Sequence, residues 1–360
     1  ALKFASDELR NNERFVTSAV TKCGFSLEFA SKELKNNEQV VTAAVTHLGE
    51  VLRYASNKMK NNQKVVTIAV TQDGSALRSA SKAMKNNEEV VTIAVTNYPD
   101  ALYCASKKMK NNERVALAAV TKDGSLLQLL SKEMKKNKRV VTAAVTQNAE
   151  VLMWVEEEML YDEDVVTAAV TRDGLVLDFV PREMYTNERV VIAALKSRGD
   201  ALEYAAEEMK DDEAIVTIAV NSNGDALEFA SERLKNNLEI VIAAVTNFGG
   251  ALVHVPTEMR NNYDVVTAAV QQCSLALEEA SEEMRNNKEV VSLAAIENGF
   301  ALEFASDELK NDEDFMADEL SYEGLALQFV SDELKNNKRV VTAAVTNYGN
   351  ALSYASREMK

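Results

Sequence analysis

The stretch ALQFVSDELKNNKRVVTAAVTNYGN, residues 326–350, decides the fold, because it is one copy of a 25-residue unit that fills the chain. The motif Ala-Leu-x-Phe/Tyr-Ala-Ser starts at residues 1, 26, 51, 76 and onward to 351, and its register never slips. With the first alanine as position 1, position 2 is leucine and position 9 is methionine or leucine in all fifteen copies. Position 12 is Asn or Asp in all fourteen complete units, position 19 is alanine in thirteen, and position 24 is glycine in eleven. A period of this length marks a stack of supersecondary units, each too small to bury its own apolar face.

Within the unit, positions 1, 2, 5 and 9 are apolar at helical spacing and positions 3, 7 and 10 are charged. The first half therefore predicts a short amphipathic helix. The doublet at positions 11 and 12 predicts its end: the first asparagine stops the helix in the left-handed conformation, and the second caps the next helix through its side-chain oxygen. Glutamate at position 13, as in Glu13, Glu38 and Glu88, suits the positive end of that second helix. Apolar residues at 15, 16, 18, 19 and 20 continue it until Gly24 stops it. Val-Val-Thr-x-Ala-Val-Thr is strand-like in composition, but the cap before it and the alanines at 18 and 19 favour a buried helix. Helices this short hold only when stacked. The expected fold is all-α: an α-solenoid, or superhelix, of about 14.5 helix-turn-helix repeats, continuous over residues 1–360. The pattern opens at Ala1 and stops at Lys360, one helix into a fifteenth unit. Without polar end repeats, the expectation is a longer array or ends covered by other chains.

The combination Ala-Leu-Glu-Tyr-Ala-Ser-Glu-Glu-Leu-Lys-Asn-Asn with Val-Val-Thr-Ala-Ala-Val-Thr resembles the repeats of the domain of unknown function 4116 family, along the whole chain. The resemblance implies a tandem-repeat protein and no particular activity. The unit is more distantly similar to the leucine-rich variant repeat, which implies an all-helical superhelix at fold level only.

Little in the sequence points to catalysis. The two histidines, His47 and His254, stand nine units apart at a variable loop position and at position 4, where structural roles are expected. There is no glycine-rich phosphate loop, zinc-ligand pair or nucleophile turn. Ten of the twelve methionines occupy position 9, where leucine is the alternative, so that stripe is core. Aromatic residues at position 4, such as Phe4, Tyr54, Phe229 and Tyr354, form a ladder expected to be partly buried. The run Glu156, Glu157, Glu158 with Asp162, Glu163, Asp164 lacks the ligand order of an EF-hand and reads as a solvated face. No enzyme activity, cofactor or metal is expected.

Three departures from consensus stand out. Pro181 and Pro256 replace the serine at position 6, inside the expected first helix, where they should bend it. Glu319 takes the position that is alanine in every other complete unit. A lone buried carboxylate is costly, so either the helix shifts or Glu319 meets a cation or partner.

Charge is the remaining signal. The formal net charge of −16 disfavours nucleic acid and anionic membranes for the whole molecule. Residues 1–150, however, hold 23 Lys and Arg against 15 Asp and Glu, and residues 151–360 hold 17 against 41. One ridge, positions 3 and 7, carries the change: Lys32, Arg53, Arg78, Lys82, Lys107 and Lys132 give way to Glu203, Glu207, Glu228, Glu232, Glu278 and Glu282. Placed four apart on one helix, like charges such as Arg78 and Lys82 repel, which suggests use rather than drift. The expected function is a non-enzymatic scaffold offering an extended surface to protein partners. The alternatives are a structural subunit that self-associates end to end, and a binder of an anionic polymer through the basic half. No apolar run is long enough to insert in a membrane. Cys23, Cys104 and Cys273, unpaired in spacing, suit the cytoplasm or another reducing intracellular compartment.

Overall fold

A computed structural model of the chain describes residues 2–360, and every regular element among them is helical, as an all-α repeat solenoid requires. The chain packs as two compact units, one running to Arg172 with Phe179–Pro181, the other Asp173–Asp178 with Arg182–Lys360. The step in charge at residue 150 therefore falls inside the first unit.

The helix at positions 13–22 follows the sequence closely, as in Glu38–His47, Gln63–Gln72 and Lys138–Gln147. In every complete repeat the Asn or Asp at position 12 caps it by accepting the N–H of position 15. The distance is 3.1 Å for Asn37 and Val40 and 3.0 Å for Asp212 and Ile215. Val65, Val66, Ala69 and Val70 show the buried face, all four without solvent exposure. This face packs on the same helix of the next repeat, which is where the burial of apolar area holds the stack together.

The first half of the unit differs from a single amphipathic helix. Position 24 and the five residues after it form a 3-10 helix, as in Gly49–Tyr54 and Gly224–Phe229. Positions 5 and 6 are extended, and positions 7–11 add only one turn, such as Glu207–Lys210 or Met59–Asn61. The cause is a hydrogen bond between repeats. The N–H of position 6 leaves the helix and donates to the carbonyl of position 10 in the preceding repeat: Ser31 to Arg10 at 3.0 Å, Ser56 to Lys35 at 2.9 Å, Ser306 to Arg285 at 2.9 Å. The serine hydroxyl adds a second link, Ser56 Oγ donating to Asn36 Oδ1 at 2.6 Å while accepting the Met59 N–H at 3.3 Å. The asparagine at position 11 is thus an acceptor for the next repeat. It does not stop a helix in the left-handed region, which no described residue occupies.

Glycine at position 24 likewise opens the 3-10 helix and does not terminate the longer one. A Cβ on Gly49 would lie 2.3 Å from the Ala69 carbonyl oxygen, and one on Gly224 would lie 2.2 Å from that of Ala244. The requirement is close approach of one repeat's backbone to position 19 of the next. The residue before it caps the 3-10 helix, Asp73 accepting from the Ser75 N–H at 2.9 Å and Asn298 from the Phe300 N–H at 3.1 Å.

The two prolines need the same correction. Position 6 is extended, with φ near −60° at Ser231 and Ser306, so Pro181 and Pro256 fit the backbone and bend no helix interior. What they remove is the inter-repeat rung, for want of an N–H.

Glu319 is half-buried and not lone: its carboxylate accepts a hydrogen bond from the Ser292 hydroxyl of the preceding repeat. The helix Glu313–Tyr322 is turned about its axis, so that Ala317 is buried where other repeats leave position 17 half-exposed. Gly299 accordingly meets the Glu323 side chain, where glycines at the same position such as Gly49, Gly74 and Gly224 meet a helix carbonyl. Burial raises the Glu319 carboxyl above its ordinary value, against the lowering effect of Ser292.

Candidate interaction surface

The named ridge residues are all exposed: Lys32, Arg53, Arg78, Lys82, Lys107 and Lys132 in the first unit, and Glu203, Glu207, Glu228, Glu232, Glu278 and Glu282 in the second. Positions 3 and 7 do not share a helix, however. Arg78 lies in a 3-10 helix, Gly74–Ser79, and Lys82 follows the extended pair Ala80 and Ser81. Repulsion across four residues of one helix is therefore no argument for use of this surface.

Local chemistry treats the two signs differently. Glu207, Glu232 and Glu282 at position 7 each start a short α-helix, where the acid meets the positive helix end, whereas Asp332 at the same position does not. The acid also pairs with the cation at position 10: Glu207 with Lys210 at 3.0 Å, Glu232 with Lys235 at 3.0 Å, Glu282 with Arg285 at 2.5 Å. With lysine at position 7 no α-turn forms, and the turn tightens to 3-10 at Met84–Asn86, Met109–Asn111 and Met134–Lys136. The cation at position 10 then turns inward, Lys85 Nζ donating to the Arg78 carbonyl at 2.7 Å. Among the described residues, the side chains of Lys32, Arg78, Lys82, Lys107 and Lys132 have no hydrogen bond or ion pair. The acidic ridge is partly neutralised from within; the basic one faces solvent.

Arg53 is the exception in the basic set. Its guanidinium lies 4.8 Å from the centroid of the Tyr54 ring and 5.7 Å from that of Phe25, and it donates to the Tyr54 hydroxyl at 2.8 Å. On the acidic side, partial burial first and Glu203 second push the Tyr204 phenol above its ordinary value.

The other candidates have partners within the fold. His47 Nδ1 accepts the Gly24 N–H at 3.4 Å, and His254 Nε2 lies 3.0 Å from Asp225 Oδ1. The acidic run meets lysines of the repeat before it, Lys138 with Asp162 at 3.0 Å and Asp164 at 2.7 Å, and Lys136 with Glu158 at 3.1 Å. Among the described residues no group of three or more His, Cys, Asp or Glu is placed to hold a metal, and no helix is long and apolar enough to cross a membrane.

Sequence reasoning missed a pair of surface cavities. One, of about 200 Å³, is lined by Glu50, Arg53, Ser75, Ala76, Arg78 and Ser79. Its neighbour, of about 140 Å³, shares Ser75 and Arg78 and adds Tyr98, Asp100, Tyr103 and Cys104. They open where Ser79 and Cys104 replace the aromatic residue of position 4, and that gap in the ladder was the signal.

The same unit recurs with its caps, glycine contacts and rungs along the described chain, and a family model reads that recurrence. The model for the Domain of unknown function (DUF4116) matches residues 1–35, 37–85, 64–110, 87–135, 112–160, 187–235, 237–285, 287–317 and 320–360. The chain belongs to the DUF4116 family. No curated protein and no solved structure matches it. In DUF4116 terms, the geometry above assigns the repeat's recurrent Asn, Ser, Gly and Ala residues to holding one repeat on the next.

Proposed function

We propose that this chain is a non-enzymatic scaffold that presents an extended surface to protein partners. The observation that carries the reading is a division of labour within the repeat. Serine 6, asparagines 11 and 12, alanine 19 and glycine 24 are consumed in caps and contacts between repeats, as Ser56, Asn36, Asn37, Ala69 and Gly49 illustrate. Positions 3 and 7 stay outside the stack and vary in sign, so they are the residues available for recognition. The unpaired cations of repeats two to six and the acids of the later repeats would hold partners of opposite charge. A single continuous solenoid bearing both ridges, in the cytoplasm or another reducing compartment, completes the proposal; the three free cysteines support that location.

The test is a variant carrying Arg78→Glu, Lys82→Glu, Lys107→Glu and Lys132→Glu. Exposed positions like these rarely change stability by more than about 0.5 kcal/mol each, so the melting temperature should stay close to the parent's. Recovery of native complexes from the source should fall in this variant, and in the parent it should fall as salt rises. Unchanged partners at unchanged stability would return the ridge to ordinary solvated surface.

A further inference from the structure

After Phe4, the most exposed large apolar side chains are Ile296 and Tyr322, each 73% accessible, and Phe300 beside them is 50% accessible. Ile296 and Tyr322 depart from the repeat. Position 21 is usually threonine and position 22 usually a polar residue, where Ile296 and Tyr322 stand. They belong to two consecutive repeats, and the Glu323 side chain, next in sequence to Tyr322, lies 2.7 Å from where a Cβ on Gly299, next to Phe300, would stand. Phe300 is steadied by an edge contact with Phe329, ring centroids 5.7 Å apart. Exposed acids flank the group: Glu297, Asp318 and Glu323. An apolar knob with an acidic rim is a surface made for contact.

Its complement is on the same chain. The cavity of about 140 Å³ lined by Ser75, Arg78, Tyr98, Asp100, Ala101, Tyr103 and Cys104 offers two tyrosine rings and one cation without a partner, Arg78. Asp100 is the one acid in its lining, against Arg78 there and Lys82 and Lys107 in the same two repeats. Knob and cavity both exist because consensus residues were replaced, the knob by gaining apolar side chains and the cavity by losing an aromatic one at Cys104.

We infer that the Ile296, Phe300 and Tyr322 knob of one molecule docks in the Arg78, Tyr98 and Tyr103 cavity of a second copy of this chain. The contact joins two different patches, so it is heterologous and propagates from copy to copy. It rests on the reading of this surface as one for protein contact, and names the partner as the chain itself.

Sedimentation velocity on the full 360-residue chain, from low micromolar to hundreds of micromolar, tests it. One variant carries Ile296→Thr and Tyr322→Asn, and a second carries Cys104→Tyr; each installs a residue that other repeats hold at that position. The parent should associate as concentration rises, less so in high salt, and each variant should weaken that association roughly ten-fold or more. Mixing the two variants should restore 1:1 dimers that grow no further, since one keeps the cavity and the other the knob. A parent that stays monomeric throughout, variants that associate like the parent, or a mixture that fails to pair would each overturn the inference. Recovery of other partners by the same variants reports on the scaffold reading separately.

Discussion

Replacing Gly49 with alanine isolates the closest contact between repeats. The backbone there is not left-handed, so alanine brings no torsional strain. Its Cβ would instead stand 2.3 Å from the Ala69 oxygen and 3.0 Å from the Asp73 N, where ordinary contact begins at 3.4 Å, so the repeats must part by about 1 Å. Overpacking of this kind costs about 1–3 kcal/mol. Alanine also stiffens the unfolded chain, which returns about 0.4–1 kcal/mol. The net expectation is a loss on the order of 1–2 kcal/mol. The cost stays moderate because Ala149 and Ser274 already occupy position 24 elsewhere, buried, so neighbouring repeats can adjust. Gly349→Ala is the control: nothing lies within 4 Å of its added carbon. It should stabilise by about 0.4–1 kcal/mol. Urea denaturation followed by far-ultraviolet circular dichroism, with equal slopes required, compares the three proteins. If Gly49→Ala matched the parent, or Gly349→Ala lost as much as Gly49→Ala, close approach would not be the reason for the glycine.

Ala144 is fully buried on the stacking face. Ala144→Leu should therefore destabilise by roughly 1–3 kcal/mol in the same assay. Pro256→Ser returns an N–H to face the Lys235 carbonyl, and should stabilise by about 0.5–1.5 kcal/mol and slow amide exchange locally. Burial raises the Glu319 carboxyl above its ordinary pKa of 4.5, so the folded state holds the proton more tightly than the unfolded one. Its charging therefore costs stability above the raised value, and that cost vanishes as pH falls below 4.5. Glu319→Gln should melt higher than the parent at neutral pH, with the difference closing in acid; a constant difference would refute the assignment.

The long helix was legible because its signals are local. A capping side chain acts three residues away, and the apolar spacing at 15, 16, 19 and 20 belongs to one helix. The first half was misread because what breaks it lies in another repeat: Ser56 bonds to Lys35 and Asn36, twenty residues or more distant, and no periodicity reports such a partner. The apolar positions 1, 2 and 5 also fit three residues per turn as well as they fit 3.6. Exposure of the ridge could be read from its charges. Its pairing could not, since whether Glu207 or Lys82 finds a partner depends on where the position 10 cation turns. The knob at Ile296 and Tyr322 was open to the same comparison with consensus that singled out Glu319.

The rungs between serine 6 and position 10 also set how the array would yield under tension. Pulled from its ends, a stack of this kind comes apart repeat by repeat, each releasing about 80–90 Å of contour as its 25 residues straighten. Where Pro181 and Pro256 leave a rung unmade, side-chain packing alone resists, so those two places should part at lower force than their neighbours. A chain that lengthens first at chosen points keeps the rest of its surface folded, and what is bound there stays bound while the load is taken up.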